Sequence, residues 1–231
     1  MAHRRDLRPR HEHRRDPRPR HEQRGTNLAL TVVDHPLSRS LLTALRDAST
    51  PPPLFRLLAK RMALVLCIEA TRTLPTTATE VGTPLATTSG TKLGPLVAVP
   101  ILRAGLGMLE AVTELFPEVT VGYLGLERDH ATFEPSLYYS KLPPLEGRSA
   151  LLLDPMLATG GSASAACSAL ESAGVGKVTL LSVVAAPEGV AHLASAHPDV
   201  DVVTASVDDG LNGQAYIVPG LGDFGDRLFG T

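Results

Sequence analysis

Residues 150–162 read Ala-Leu-Leu-Leu-Asp-Pro-Met-Leu-Ala-Thr-Gly-Gly-Ser. The first four form an apolar run of strand length. Asp154-Pro155 then breaks the run and a loop of small residues follows. Residues 163–173, Ala-Ser-Ala-Ala-Cys-Ser-Ala-Leu-Glu-Ser-Ala, have the composition of a helix. A strand that passes through a glycine-containing loop into a helix makes an anion site, because the first N–H groups of the helix are unpaired and point outward at the positive end of its dipole. Gly160 and Gly161 let the backbone approach a phosphate closely, and Thr159 and Ser162 add hydroxyl donors. Asp154, at the carboxyl end of the strand, can face a sugar hydroxyl or a hydrated cation. The lysine of G-x-x-x-x-G-K-[ST] is missing and the pattern is not G-x-G-x-x-G, so neither common nucleotide loop is present. A strand-turn-helix with glycines placed only for packing is the plain alternative.

Outward from this stretch, short apolar strands alternate with helical segments. Strands are expected at residues 28–33, 96–102, 119–124, 150–153, 178–185 and 200–205. Helices are expected at 36–47, 53–71, 107–116, 162–173 and 188–196, with Ser49-Thr50-Pro51-Pro52-Pro53 as a break between the first two. All-apolar strands separated by helices imply an α/β fold with a mostly parallel sheet covered on both faces, in which ligands sit at the carboxyl ends of the strands. Arg103, Arg128 and Asp154 all fall at such ends. Residues 129–147, rich in proline and aromatics, read as an excursion between two strands. In Val99-Pro-Ile-Leu-Arg-Ala-Gly-Leu-Gly-Met, an arginine follows a buried strand directly, and its desolvation calls for an anion. Residues 124–135 repeat that logic around Arg128, beside a surface histidine, His130. The segment Ala215-Tyr-Ile-Val-Pro-Gly-Leu-Gly-Asp-Phe-Gly-Asp-Arg is glycine-rich yet apolar, which suits a flat slot with backbone groups free to bond a base edge.

The net charge of −2 conceals two unlike pieces. Residues 3–12 and 13–22 are a ten-residue duplication that differs only at Leu7 and Pro17. Nine of the 22 basic residues and four of the 24 acids lie within residues 1–25, so this tail is near +5 and the remainder near −7. Pro9, Pro17 and Pro19 and the lack of apolar periodicity argue for a disordered tail, with one globular unit over residues 26–231. The tail has no apolar core of a secretory signal. It could meet nucleic acid through counterion release, but it holds no aromatic residue for base stacking, and a solvated extension is the expected reading. Hydrophobic content of 43% and mean hydropathy of +0.07 supply a core, and no apolar run reaches membrane-spanning length. Cys67 and Cys167 fall in expected helices without metal spacing and fit a reducing, cytoplasmic compartment.

The 154–162 loop resembles the 5-phospho-α-D-ribose 1-diphosphate (PRPP) loop of type I phosphoribosyltransferases, in which four residues separate an acid from Thr-Gly-Gly. The wider class usually has two adjacent acids. Here Pro155 takes the second place, as in the uracil phosphoribosyltransferase branch. The Arg103 run is similar to that branch's diphosphate loop. The 215–227 segment is similar to its base-binding segment, and Phe55-Arg-Leu-Leu, Glu69-Ala-Thr-Arg and Val184-Ala-Ala-Pro-Glu-Gly add coverage, so the likeness spans residues 28–231. Cys67-Ile68, where Thr-Tyr is common, and Pro51-Pro52-Pro53 depart from the pattern.

The resemblance implies a type I phosphoribosyltransferase-like fold that converts uracil and PRPP to UMP and diphosphate in pyrimidine salvage. It implies PRPP contacts from Arg103, Arg128, Asp154, Pro155, Met156, Leu157, Ala158, Thr159, Gly160, Gly161, Ser162 and Asp223. It also implies uracil contacts from Ile217, Gly222, Asp223 and Phe224, with Arg103, Asp154 and Asp223 closest to the chemistry. Mg²⁺ would be held mostly through the diphosphate and water, with no protein metal site. A homodimer or homotetramer, and a GTP effector, are further implications. A regulatory protein that binds PRPP or UMP and reaches RNA with its tail, and a transferase for another base, are the alternatives.

Overall fold

In the computed structural model, residues 28–128 and 135–231 are described, with only the backbone of Arg128 and Pro135. The arginine-rich tail and His130 lie outside the described residues. The chain begins with β1 (Leu30–Val32), α1 (Pro36–Arg46) and α2 (Pro52–Ala70). Next come β2 (Thr76–Gly82), β3 (Thr87–Leu93), β4 (Leu96–Leu102) and α3 (Leu106–Leu115). β5 (Thr120–Val121), β6 (Tyr123–Arg128) and β7 (Pro135–Lys141) precede β8 (Ser149–Leu153). The remainder runs β9 (Met156–Leu157), α4 (Gly161–Ser172), β10 (Lys177–Ser182), β11 (Val184–Ala185), α5 (Pro187–Ala196) and β12 (Asp201–Thr204). It closes with β13 (Gly210–Leu211), β14 (Ile217–Val218) and α6 (Phe224–Phe229).

The main sheet has the order β1-β12-β10-β8-β4-β6-β7, with β5 also paired to β4, and every pairing is parallel except β6 with β7. This is the mostly parallel, helix-flanked architecture that the alternation of apolar strands and helices implies. β8 has neighbours on both edges, Leu151 standing opposite Ala98 on β4 and Thr179 on β10. Its side chains are buried on both faces, which is why its sequence shows no polar alternation. Alternate residues serve two cores. Ala98, Leu151, Leu153, Leu181 and Val203 pack with α1, α2, α3 and α6, while Val97, Val99, Leu152, Leu180 and Val202 pack with α4 and α5. α2 buries Phe55, Leu58, Ala59, Met62, Ala63, Leu66, Cys67 and Ala70, the three-and-four spacing of one helical face. The triple proline is therefore less a break than a beginning, since Pro52 and Pro53 occupy the first helical turn, where no N–H partner is lost.

Three expectations are refined. The strand expected at 119–124 is two, β5 and β6, separated by Gly122, and the second runs on to Arg128. β5 pairs with Val97 and Ala98 and β6 with Ile101 and Leu102, so the gap falls beside Pro100, which has no N–H to offer a neighbouring strand. The strand expected at 178–185 also divides. β10 stays in the main sheet, whereas β11 turns away to pair with β9 inside the 154–162 loop. The β2–β3 hairpin was not foreseen. Its residues are mostly exposed, with Leu85 at 97%. Such a threonine-rich ribbon, paired only with itself, carries little of the hydrophobic signal that marks a strand. Cys67 and Cys167 are buried and free, and burial pushes both thiols up to about 12.

Placing the core at β8 and leaving the hairpin outside it gives a measurable contrast. Leu151→Ala and Leu152→Ala, one in each core, should each cost about 3 kcal/mol in urea unfolding, whereas Thr88→Ala in the hairpin should stay within about 0.5 kcal/mol.

Candidate active site

Parallel register brings the carboxyl ends of β4 and β8 together, with Pro100 opposite Leu153. Arg103 leaves the end of one strand and Asp154 the end of the other. A single cleft there is lined by residues 101–104, Leu126, Asp154 and residues 156–163. The turn after β4 depends on Gly105. A Cβ at that position would lie 2.3 Å from the carbonyl oxygen of Leu153 and 2.7 Å from that of Ile101, so only glycine lets the turn close over the two strand ends. The Leu102–Arg103 peptide is cis. The Arg103 side chain is exposed, with its guanidinium 5.7 Å from the ring centroid of Phe229 on α6.

The loop after β8 is braced from below. Met156 and Leu157 pair with Val184 and Ala185, the Leu157 N–H donates to Ser182 Oγ at 3.1 Å, and the Ala186 N–H donates to the Leu157 carbonyl at 2.8 Å. Gly189 in the first turn of α5 lies close beneath, where a Cβ would come within 2.5 Å of the Ala158 carbonyl oxygen. Gly160, at φ +85°, turns the chain into α4, whose first N–H, that of Gly161, reaches Thr159 Oγ1 at 3.5 Å. Backbone donors, a helix N-terminus and an arginine thus converge on one cleft, an arrangement for holding anions. Pro155 sits behind it, its carbonyl accepting from the N–H groups of Val183 and Val184. Burial pushes the Asp154 carboxyl up to about 6, against the opposing effect of the Met156 N–H at 3.4 Å.

The C-terminal segment lies outside that lining, joined to it through α3 and α6. A Cβ on Gly107 would stand 3.1 Å from the Phe224 ring, so α6 packs directly against the start of α3, just beyond the Arg103 turn. The Phe224 ring is fully buried and meets Phe55 edge-on at 5.1 Å, which leaves its backbone to face a ligand. Ile217 is buried in β14 opposite Leu211. Gly222, at φ +80°, and Asp223 are exposed, and their N–H groups meet no acceptor among the described residues. The Asp223 carboxylate caps α6 by accepting from the Asp226 N–H at 2.9 Å. Arg128 ends β6 on the same side of the sheet as Arg103, and its side chain lies outside the described residues. Gly105 is one of the two glycines that follow Arg103 in the run read from the sequence, whereas Ser182 and Gly189 act here without having been singled out. Their signals, a polar residue inside an apolar run and a glycine early in a helix, are common and nonspecific. Among the described residues no three His, Cys, Asp or Glu side chains gather as a metal site.

A family model described as uracil phosphoribosyltransferase matches residues 32–231. The chain belongs to the uracil phosphoribosyltransferase family. Relatives named uracil phosphoribosyltransferase from Dictyoglomus turgidum and Symbiobacterium thermophilum are 50% and 49% identical, each match covering 87% of this chain and 98% of the relative. The solved structure of the AQ2163 protein from Aquifex aeolicus superposes with a TM-score of 0.83 at 36% identity, covering 87% of this chain and 97% of that one. The family match takes in every element from the end of β1 to α6, and so the whole cleft.

Asp154 gives a pH signature to the unliganded fold. The folded protein holds this proton more tightly than the unfolded chain, so the associated stability is complete below the ordinary value of 3.8 and is lost as pH rises to about 6. Asp154→Asn should therefore raise the Tm at pH 8 relative to the parent and leave it nearly unchanged at pH 4. Equal shifts at both pH values would contradict the burial of this carboxyl.

Proposed function

We propose that this chain transfers the phosphoribosyl group of PRPP to N1 of uracil, giving UMP and diphosphate, in pyrimidine salvage. The observation that carries the reading is the single cleft in which Arg103, Asp154 and the 156–162 loop meet at the start of α4. In this reading the loop from Pro155 to Ser162 holds the 5′-phosphate. Met156, Leu157, Ala158, Thr159, Gly160 and Gly161 shape it, and Pro155 fixes it from behind. Asp154 accepts from the ribose hydroxyls. The C1–O bond to diphosphate breaks as N1 of uracil closes on C1, so negative charge grows on the departing diphosphate. Arg103 and Arg128 neutralise that charge. Mg²⁺, carried on the diphosphate and its waters beside Asp154 and Asp223, would add further positive charge there. The free N–H groups of Gly222 and Asp223, with the backbone of Ile217 and Phe224, suit a base edge that presents acceptors at O2 and O4. Cytosine, with an amino donor where uracil has O4, would leave one of these N–H groups unpaired once the bound base covers it. No side chain is assigned as general base; the N1 proton of uracil passes to water or to the departing diphosphate. A cytoplasmic location and a homodimer or homotetramer accompany this reading, with the projecting β2–β3 hairpin as a surface that a second copy would cover.

The test is UMP formation from uracil, PRPP and Mg²⁺, with cytosine, hypoxanthine and orotate in parallel. Turnover of uracil alone is expected. Tight PRPP binding without turnover of any base would replace this reading with a regulatory one. Arg103→Ala should lower kcat/KM by about 100-fold or more with an unchanged melting curve, and wild-type kcat/KM in that variant would remove Arg103 from its assigned role.

A further inference from the structure

The segment assigned to the base is held by an ion pair that touches none of its proposed contacts. Arg46, in the last turn of α1, grips Asp208 with both nitrogens of its fork, at 2.7 and 2.6 Å, and the Asp208 side chain is only 2% exposed. The same two residues hold the two backbone polar groups of Gly220. Arg46 Nη1 donates to the Gly220 carbonyl at 2.8 Å, and the Gly220 N–H donates to Asp208 Oδ2 at 2.9 Å. Ser206 Oγ donates to Asp208 Oδ1 at 2.6 Å and completes the carboxylate's partners. Burial pushes the Asp208 carboxyl up, but the hydrogen bonds from Arg46, Ser206 and Gly220 outweigh it and hold the group below the usual carboxylate range.

Gly220 leaves the chain little room to find this shape by another route. It sits at φ +56°, and a Cβ there would lie 2.1 Å from the Ile217 carbonyl oxygen. The next carbonyl is gripped as well. Arg227 Nη1 donates to Leu221 O at 2.8 Å and to the Leu45 carbonyl, Nη2 donates to Asp47 O at 2.6 Å, and the guanidinium lies 4.4 Å from the Phe55 ring centroid. Successive carbonyls at 220 and 221 are therefore tied to the end of α1, and the N–H groups of 222 and 223 beyond them meet no acceptor among the described residues.

We propose that Arg46 and Asp208 are positioning residues for the base: by holding Gly220 at both backbone groups, their ion pair presets residues 217–224 in the conformation that reads uracil. This rests on the assignment of that segment as the base site. Recognition through backbone groups gains its selectivity from rigidity, because a loop free to shift its N–H groups can re-pair with a different base edge. Positioning by these residues should appear as weaker uracil use with PRPP use intact, since the side chains of Arg46 and Asp208 bond nothing in the PRPP loop, and β11, which braces that loop, meets residues 206–208 through backbone hydrogen bonds that side-chain substitution leaves in place.

Two arms test this in the full chain. In the first, hydrogen exchange of residues 217–224 is compared with and without UMP. Protection is expected, and its absence would overturn the site assignment itself. In the second, Asp208→Asn and Arg46→Lys are assayed with each substrate varied in turn, beside Leu42→Ala, a destabilising change in the same helix that removes none of the side-chain hydrogen bonds of the ion pair. Arg46→Lys keeps the charge but loses the fork, and so keeps the question answerable if Asp208→Asn does not fold. The expected result is a rise of about tenfold or more in KM for uracil in both ion-pair variants, with KM for PRPP within about twofold of the parent. Leu42→Ala should lower Tm and leave both KM values alone. Unchanged KM for uracil in the folded ion-pair variants, or parallel changes in both substrates, would overturn the positioning role even where UMP protects the segment.

Discussion

Two negatively charged groups on one small sugar must be met by fixed donors at a fixed separation, and the parallel pairing of β4 with β8 supplies the frame. Each strand ends in a turn that presents anion-binding groups, and the spacing of those turns follows from the register that sets Pro100 opposite Leu153. A slip by one residue would exchange the two core faces of β8, since Leu151 and Leu153 serve one core and Leu152 the other. It would also carry Asp154 away from the cleft. Two separate apolar cores therefore defend a single alignment, and the aqueous end of the sheet inherits its accuracy from them.

The loop after β8 is irregular, yet it is paired and hydrogen-bonded on both its backbone and its flanks. Met156 and Leu157 borrow a short ladder from β11, Ser182 reaches out of an apolar run to meet a backbone N–H, and Gly189 lets α5 approach the loop carbonyls. A loop fixed in this way loses little entropy when an anion arrives. The Arg103 turn is closed by the Gly105 N–H, which donates to the Ile101 carbonyl at 2.9 Å, and there is no room for a Cβ at Gly105 between the two strand ends.

Most of the sheet could be read from sequence, because buried parallel strands are continuous apolar runs and their order along the chain follows the alternation with helices. Arg103, Asp154 and the Thr-Gly-Gly turn could be read because each lies directly after such a run. What escaped had other physical origins. The splitting of 119–124 depends on a proline in the neighbouring strand, which no local pattern reports. The hairpin buries too little to impose a period. The full burial of Phe224 follows from its edge-on packing against Phe55, 169 residues away in the chain, so a residue expected at the ligand has only its backbone to offer. Arg46 and Asp208 are separated by 162 residues and have no motif of their own.

The two buried thiols bear on how the protein meets oxidants. Peroxides and electrophiles attack the thiolate, and with both groups pushed up to about 12 the ionised fraction near neutral pH is roughly one in ten thousand or less. Each sulfur is also closed off inside a helix–sheet core. The cleft is lined by no cysteine and both sulfhydryls of the chain are shielded, so an oxidant meets no reactive thiol where the substrates would bind.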